Sequence, residues 1–124
     1  MTGRPLPPVS VLVASPDRNF LILARTVLRG AGHHVATTTV SAERVRGQVR
    51  LRAPQVLLLD ADQATVAALR ADPGSTGTTV VHVVEEPGQE PADAPPAVGK
   101  WAPGSEFLEA VQNAGRTRLR LVDR

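Results

Sequence analysis

Val56-Leu57-Leu58-Leu59-Asp60 is four apolar residues in a row, closed by a carboxylate. A strand with one wet face alternates apolar and polar residues; this one does not, so both of its faces are covered. That pattern belongs to a parallel sheet with helices on either side. Asp60 then stands at the carboxyl end of its strand, the edge where open α/β sheets place their sites. Lys100 ends a second short apolar segment, Ala97-Val98-Gly99, and is the only lysine among fourteen basic residues. If both segments are strands of one sheet, Asp60 and Lys100 project from the same edge.

The remaining elements follow outward from this strand. Val9 to Ala14 reads as a buried β-branched strand. Ser15-Pro16-Asp17 is expected to open a helix, with Ser15 as N-cap and Pro16 in the first helical position. Phe20, Leu23, Ala24, Val27 and Leu28 recur at helical spacing until Gly30 and Gly32 stop the run. His34 to Thr38 is a weaker strand. Ser41 caps a helix with Val45 and Val49 inward and Arg44, Arg46 and Arg50 outward. Asp62 to Ala71 is a short helix, and Thr79 to Val84 a fourth strand. Residues 85–96 hold four prolines and four acids, which no regular helix tolerates. After Lys100, Pro103-Gly104-Ser105 leads into a last helix through Phe107, Leu108, Val111 and Ala114. Alternating strands and helices predict parallel strands joined by right-handed crossovers, an α/β three-layer sandwich. The domain spans residues 9–115, between a disordered segment 1–8 and a basic tail or helix extension 116–124.

Composition narrows the chemistry. With 124 residues the chain has room for one core, and with 2% aromatic residues that core is built from Val, Leu and Ala. Cysteine is absent, which removes thiolate and disulfide chemistry. No apolar run approaches the ~20 residues of a membrane span, and Met1 to Pro8 lacks the apolar stretch of a signal peptide. A soluble cytoplasmic protein that does not engage a membrane is the expectation. Net charge is +2 but segregated. Residues 1–52 carry +6, residues 53–109 carry −7, and the tail from Ala110 carries +3. Arginines on exposed helix faces explain the basic regions, so nucleic-acid binding by this chain alone is disfavoured. His33 and His34, being neighbours on a strand, point oppositely and cannot share a metal. No nucleophile–base pair and no Gly-rich phosphate loop is visible, so the chain is not read as an enzyme.

Taken together, Leu28-Arg29-Gly30-Ala31-Gly32-His33-His34-Val35, Leu57-Leu58-Leu59-Asp60, and Lys100 five residues before Ser105-Glu106-Phe107-Leu108 resemble the receiver domain of bacterial two-component response regulators. The resemblance covers residues 9 to 115. It implies a flavodoxin-like fold with strand order 2-1-3-4-5, the fourth helix here lost or replaced by the Pro-rich stretch. It also implies a function. A receiver takes a phosphoryl group from a histidine kinase onto the aspartate ending strand three. Magnesium, held by two acids after strand one and by that aspartate, neutralises the phosphoryl oxygens together with the lysine ending strand five. A Thr or Ser ending strand four and an aromatic in strand five relay the change.

On that pattern Asp60 falls on the phospho-acceptor and Lys100 on the phosphate-pairing lysine. Ser15 and Pro16 fall on the acid pair, with Asp17 one place later; Val84 falls on the switch hydroxyl and Ala97 on the switch aromatic. Acid site and switch are therefore both degenerate. No cofactor is expected, although magnesium tolerates one or two carboxylates plus waters, which leaves a weak site at Asp17 and Asp60 open. The preferred reading is an atypical receiver-like signalling domain that acts by protein–protein interaction, independent of aspartyl phosphorylation. The alternatives are a working phospho-receiver on Asp60 and a module gated by a small ligand. Trp101, Glu85 and Glu86 are the candidate partner contacts, and a homodimer is an open possibility.

Overall fold

The computed structural model describes residues 8–75, 77–85 and 96–122, excepting the side chains of Ser75 and of 116–122. Five strands form one sheet: β1 (Ser10–Ala14), β2 (His34–Thr38), β3 (Val56–Leu59), β4 (Thr79–Val84) and β5 (Ala97–Gly99). Their order is β2-β1-β3-β4-β5 and every neighbouring pair is parallel. Four α-helices are described: α1 (Arg18–Gly30), α2 (Ala42–Arg52), α3 (Gln63–Ala71) and α4 (Gly104–Val122). This is the doubly wound sandwich expected from the sequence. The expected N-terminal segment falls almost wholly on residues 1–7, and the expected Pro-rich replacement for a further helix on 86–95; both lie outside the described residues.

The pleat divides the apolar residues between two layers. Val11, Val13, Val56, Leu58, Val81, Val83 and Val98 point to one face, where Phe20, Ala24 and Leu28 of α1 and Phe107, Val111 and Ala114 of α4 cover them. Leu12, Ala14, Leu57, Leu59 and Val80 point to the other, under Val45 and Val49 of α2 and Val66 and Leu69 of α3. All four residues of β3 are fully buried, as its unbroken apolar run requires. Helix α1 ends in a Schellman motif: the His33 and Gly32 amides donate to the Leu28 and Arg29 carbonyls, with Gly32 at φ +93° where a Cβ is disfavoured.

Two local expectations need correction. Helix α1 is capped by Asp17, not Ser15, and begins at Arg18, not Pro16. The Asp17 carboxylate accepts from the amides of Asn19 (3.0 Å) and Phe20 (3.2 Å), while the Ser15 hydroxyl is engaged elsewhere. Leu23, expected inward, is 40% exposed. The core stripe of α1 is the i, i+4 row Phe20, Ala24 and Leu28, and Leu23 lies beside it.

Candidate functional site

Strand register assembles the site. Ala14 of β1 pairs with Leu59 of β3, so the next residues, Ser15 and Asp60, leave the sheet side by side. Val84 of β4 pairs with Gly99 of β5, and the Lys100 amide then donates to the Val84 carbonyl at 2.8 Å. Lys100 therefore leaves the same edge two strands from Asp60, and its long stem closes the gap. Its ammonium lies 3.0 Å from Asp60 Oδ2 and 3.4 Å from Asp17 Oδ2. The Ser15 hydroxyl donates to the same Asp60 Oδ2 at 2.7 Å and accepts from the Asp17 amide at 3.0 Å. Four side-chain groups from three loops thus form one closed polar cluster.

The cluster is largely enclosed. Ser15 is fully buried, and the Lys100 and Asp60 side chains are only 12% and 18% exposed. The Phe20 and Trp101 ring centroids stand 5.9 and 5.6 Å from the Lys100 nitrogen, within cation–π range. Burial alone opposes the charge on Lys100. The hydrogen bond and field of Asp60, then of Asp17, outweigh it, and the lysine pKa stands above its ordinary value. The Asp17 carboxyl is held below its ordinary value, first by the Phe20 amide and further by Lys100. The Lys100 ammonium thus stands against the carboxyl groups of both Asp60 and Asp17.

The other singled-out residues take their places around it. Trp101 packs edge-on to Phe20, centroids 5.9 Å apart, yet remains 56% exposed, so it both covers the edge of the core and presents a face outward. Val84 and Ala97 are half-buried at the ends of β4 and β5. Glu85 is exposed, and Glu86 lies outside the described residues. His82, on the α2–α3 face of the sheet, contacts the Ala61 carbonyl through Nε2 at 2.8 Å and pins the loop after Asp60. Sequence reasoning missed that Ser15 bonds to Asp60 and that Asp17 shares Lys100. The first was available from register, since strands one and three are neighbours in this strand order. The second depends on how the first turn of α1 folds back.

No protein-family model and no curated protein matches the chain. Solved structures do. The chain is similar to the chemotaxis response regulator CheY4 of Vibrio cholerae, with 16% identity over 87% of this chain and 99% of that one, at a TM-score of 0.73. It is similar to a response regulator receiver domain from Methylobacillus flagellatus, with 14% identity over 87% and 99% and a TM-score of 0.72. It also superposes on NtrX from Brucella abortus with a TM-score of 0.80 and 18% identity, over 94% of this chain but 28% of that one. These likenesses establish the class of fold: the CheY-like, flavodoxin-like architecture of receiver domains.

Proposed function

We propose that this chain is a receiver-like signalling domain, non-catalytic and cytoplasmic, that acts through protein–protein contact and independently of aspartyl phosphorylation. One observation carries the reading: the oxygen of Asp60 that meets Lys100 also takes the Ser15 hydroxyl, so this carboxylate is held by donors of the chain itself. Magnesium does not fit this donor set. Such a hard dication wants six oxygens and anionic ligands. Ser15 supplies a neutral oxygen already bonded to Asp60, Pro16 supplies none, and Asp17 caps α1. The Lys100 ammonium occupies the space between the two carboxylates. Among the described residues no third carboxylate or imidazole joins them in a metal-binding group.

The relay positions support the same reading. Val84 has no hydroxyl to follow a phosphoryl oxygen, and Ala97 has no ring to move. A modification shifts an equilibrium only through contacts that differ between two states. Recognition would fall instead to exposed groups near this edge, Trp101 first and the acidic stretch from Glu85 second.

The test is the backbone amide spectrum with and without magnesium and a beryllofluoride mimic. We expect residues 84–85 and 96–101 to stay in place, and Asp60→Asn to leave partner binding intact. Saturable shifts running from β4 through β5 would refute this reading and establish the phospho-receiver, which the 3.0 Å approach of Lys100 to Asp60 favours as the second reading. A small-ligand module has less support, because Asp60 does not line the groove beside β5 and α4, the one beside β1 and β2, or the one beside α1.

A further inference from the structure

Strand β2 is one edge of the sheet, at the opposite side from β5. The His34 amide donates to the Val9 carbonyl at 3.1 Å, and the Thr38 carbonyl accepts from the Ser15 amide at 3.2 Å. In a parallel pair the backbone groups of successive residues point to alternate sides, so His34, Ala36 and Thr38 face β1. Val35 and Thr37 therefore turn their N–H and C=O groups away from the sheet. Among the described residues β1 is the only strand paired with β2. Sheet edges are normally blunted by charged side chains, proline or a bulge. His34-Val35-Ala36-Thr37-Thr38 has no lysine, arginine, acid or proline, and its register with β1 runs unbroken over the whole strand.

A groove flanks this strand on each face. On the α1 side Thr37, Leu21, Ile22, Arg18 and Arg25 line about 290 Å³. On the α2 side Leu12, Val35, Ala36, His34, Arg52 and Pro54 are among the residues lining about 190 Å³. Successive side chains of a strand point to opposite faces, so a chain laid along β2 sends its own into the two grooves in turn. Charge around them is one-sided. Helix α1 holds Arg18, Arg25 and Arg29 and no acid; α2 holds Arg44, Arg46, Arg50 and Arg52 against Glu43 alone. Asp72 engages Arg46 and Arg50, but neither Arg18 nor Arg25 is in an ion pair among the described residues. Ile22, between them, is 49% exposed.

We propose that the β2 edge is a docking surface for an extended acidic segment of a partner protein, which joins the sheet as an added strand. Val35 and Thr37 supply the outward amides and carbonyls of the new ladder. The grooves take alternate side chains, with Leu21 and Ile22 on one face and Leu12 and Ala36 on the other as apolar floor. Arg18 and Arg25 on one face and Arg52 on the other select carboxylates over ammonium groups. The surface lies across the sheet from Trp101, which follows β5, and it does not depend on whether Asp60 is phosphorylated.

A short peptide alternating glutamate with valine and threonine, titrated into the full chain, tests it. Fluorescence anisotropy reads affinity, and amide hydrogen exchange reads the place. Binding should be saturable and should weaken in about 0.5 M salt, where the screening length falls to roughly 4 Å. Exchange at Val35 and Thr37 should slow about tenfold or more at saturation, while Ala36, already bonded to β1, changes far less. The same peptide methylated on its interior amides keeps its charge and loses its donors. It should bind about tenfold more weakly or worse, as should the lysine counterpart of the peptide. Arg18→Glu with Arg25→Glu should weaken binding by a similar factor. Thr37→Pro removes an outward donor without touching the β1 ladder, and should do the same; if it fails to fold, the methylated peptide makes the same test on the unaltered chain. Binding without protection of Val35 and Thr37 would show an arginine surface that takes any polyanion, and would overturn the proposal. So would a methylated or lysine peptide that binds equally, an affinity indifferent to the arginine reversal, or no binding at low salt. Self-association of the chain alone that protects the same two amides would make a second copy the occupant and overturn it as well.

Discussion

Lys100→Met removes one charge and keeps most of the apolar stem, so it isolates the electrostatic part of the cluster. The ammonium it deletes sits 3.0 Å from Asp60 and 3.4 Å from Asp17. With Lys100 12% and Asp60 18% exposed, their pair lies between two limits: exposed ion pairs contribute about 0.2–1 kcal/mol, and breaking a fully buried one costs about 3–5 kcal/mol. The Ser15 hydroxyl remains on Asp60 and relieves part of the loss. We expect about 1–3 kcal/mol at neutral pH, a fall in Tm of about 4–12 °C. The pH dependence has a definite sign. The raised pKa of Lys100 makes its contribution complete below the ordinary lysine pKa and lost as pH climbs through the folded-state value. The lowered pKa of Asp17 makes its contribution complete above the ordinary carboxylate pKa and lost as pH falls through the folded-state value. The variant's deficit should therefore shrink in acid, where no carboxylate is left uncompensated. Asp60→Asn in the same chain should recover part of it at neutral pH. Urea denaturation at neutral pH and below the carboxylate range decides the matter. A deficit under about 0.5 kcal/mol at neutral pH, or one of equal size in acid, would refute an electrostatic clamp.

Three further outcomes are expected. His33 accepts the Val9 amide on Nδ1 at 3.0 Å, and burial first, then His34, lowers its pKa; stability should decline as pH falls below the ordinary imidazole value and keep declining through the folded-state value, and a Tm–pH series in which His33→Gln shows the same slope would contradict this. Ala53 ends α2 in the left-handed region at φ 45°, ψ 55° with its side chain exposed; Ala53→Gly relieves strain of about 1–2 kcal/mol against a similar but smaller entropic cost, so the unfolding free energy from urea denaturation should stay level or rise by up to about 1 kcal/mol. Leu58→Ala empties a fully buried position in β3 and should cost about 2–5 kcal/mol in the same assay.

The fold was legible because this sheet is covered on both faces. Unbroken apolar runs such as Val56–Leu59 have few other places to go, and the bounds expected for β4 and β2 match the structure. What the sequence hid were outcomes of non-local competition. Ser15 followed by Pro16 has the local signature of a helix start, yet a carboxylate forty-five residues away takes its hydroxyl and leaves the capping to Asp17. Leu23 has the periodicity of a core residue. Its exposure is set by which neighbours α1 packs against, and periodicity does not specify that.

The site divides along the same line. Asp60 and Lys100 were legible because each immediately follows a strand, and in a parallel sheet strand ends share an edge. Asp17 was legible as a neighbour of the acid site, but its pairing with Lys100 was not, because a turn of irregular backbone brings the two together. The dependence on register also couples site to fold. Side chains alternate along a strand, so sliding β5 by one residue would turn Val98 out of the core and set Trp101 or Gly99 where Lys100 stands. The Asp60 and Asp17 carboxylates would then lose their cation while the core loses a valine. The same pairing, Val84 with Gly99, that buries Val98 also aims the ammonium. Retaining this lysine therefore needs no phosphoryl chemistry to explain it: a chain that had lost signalling through Asp60 would still be held to Lys100 by the stability of its sheet edge.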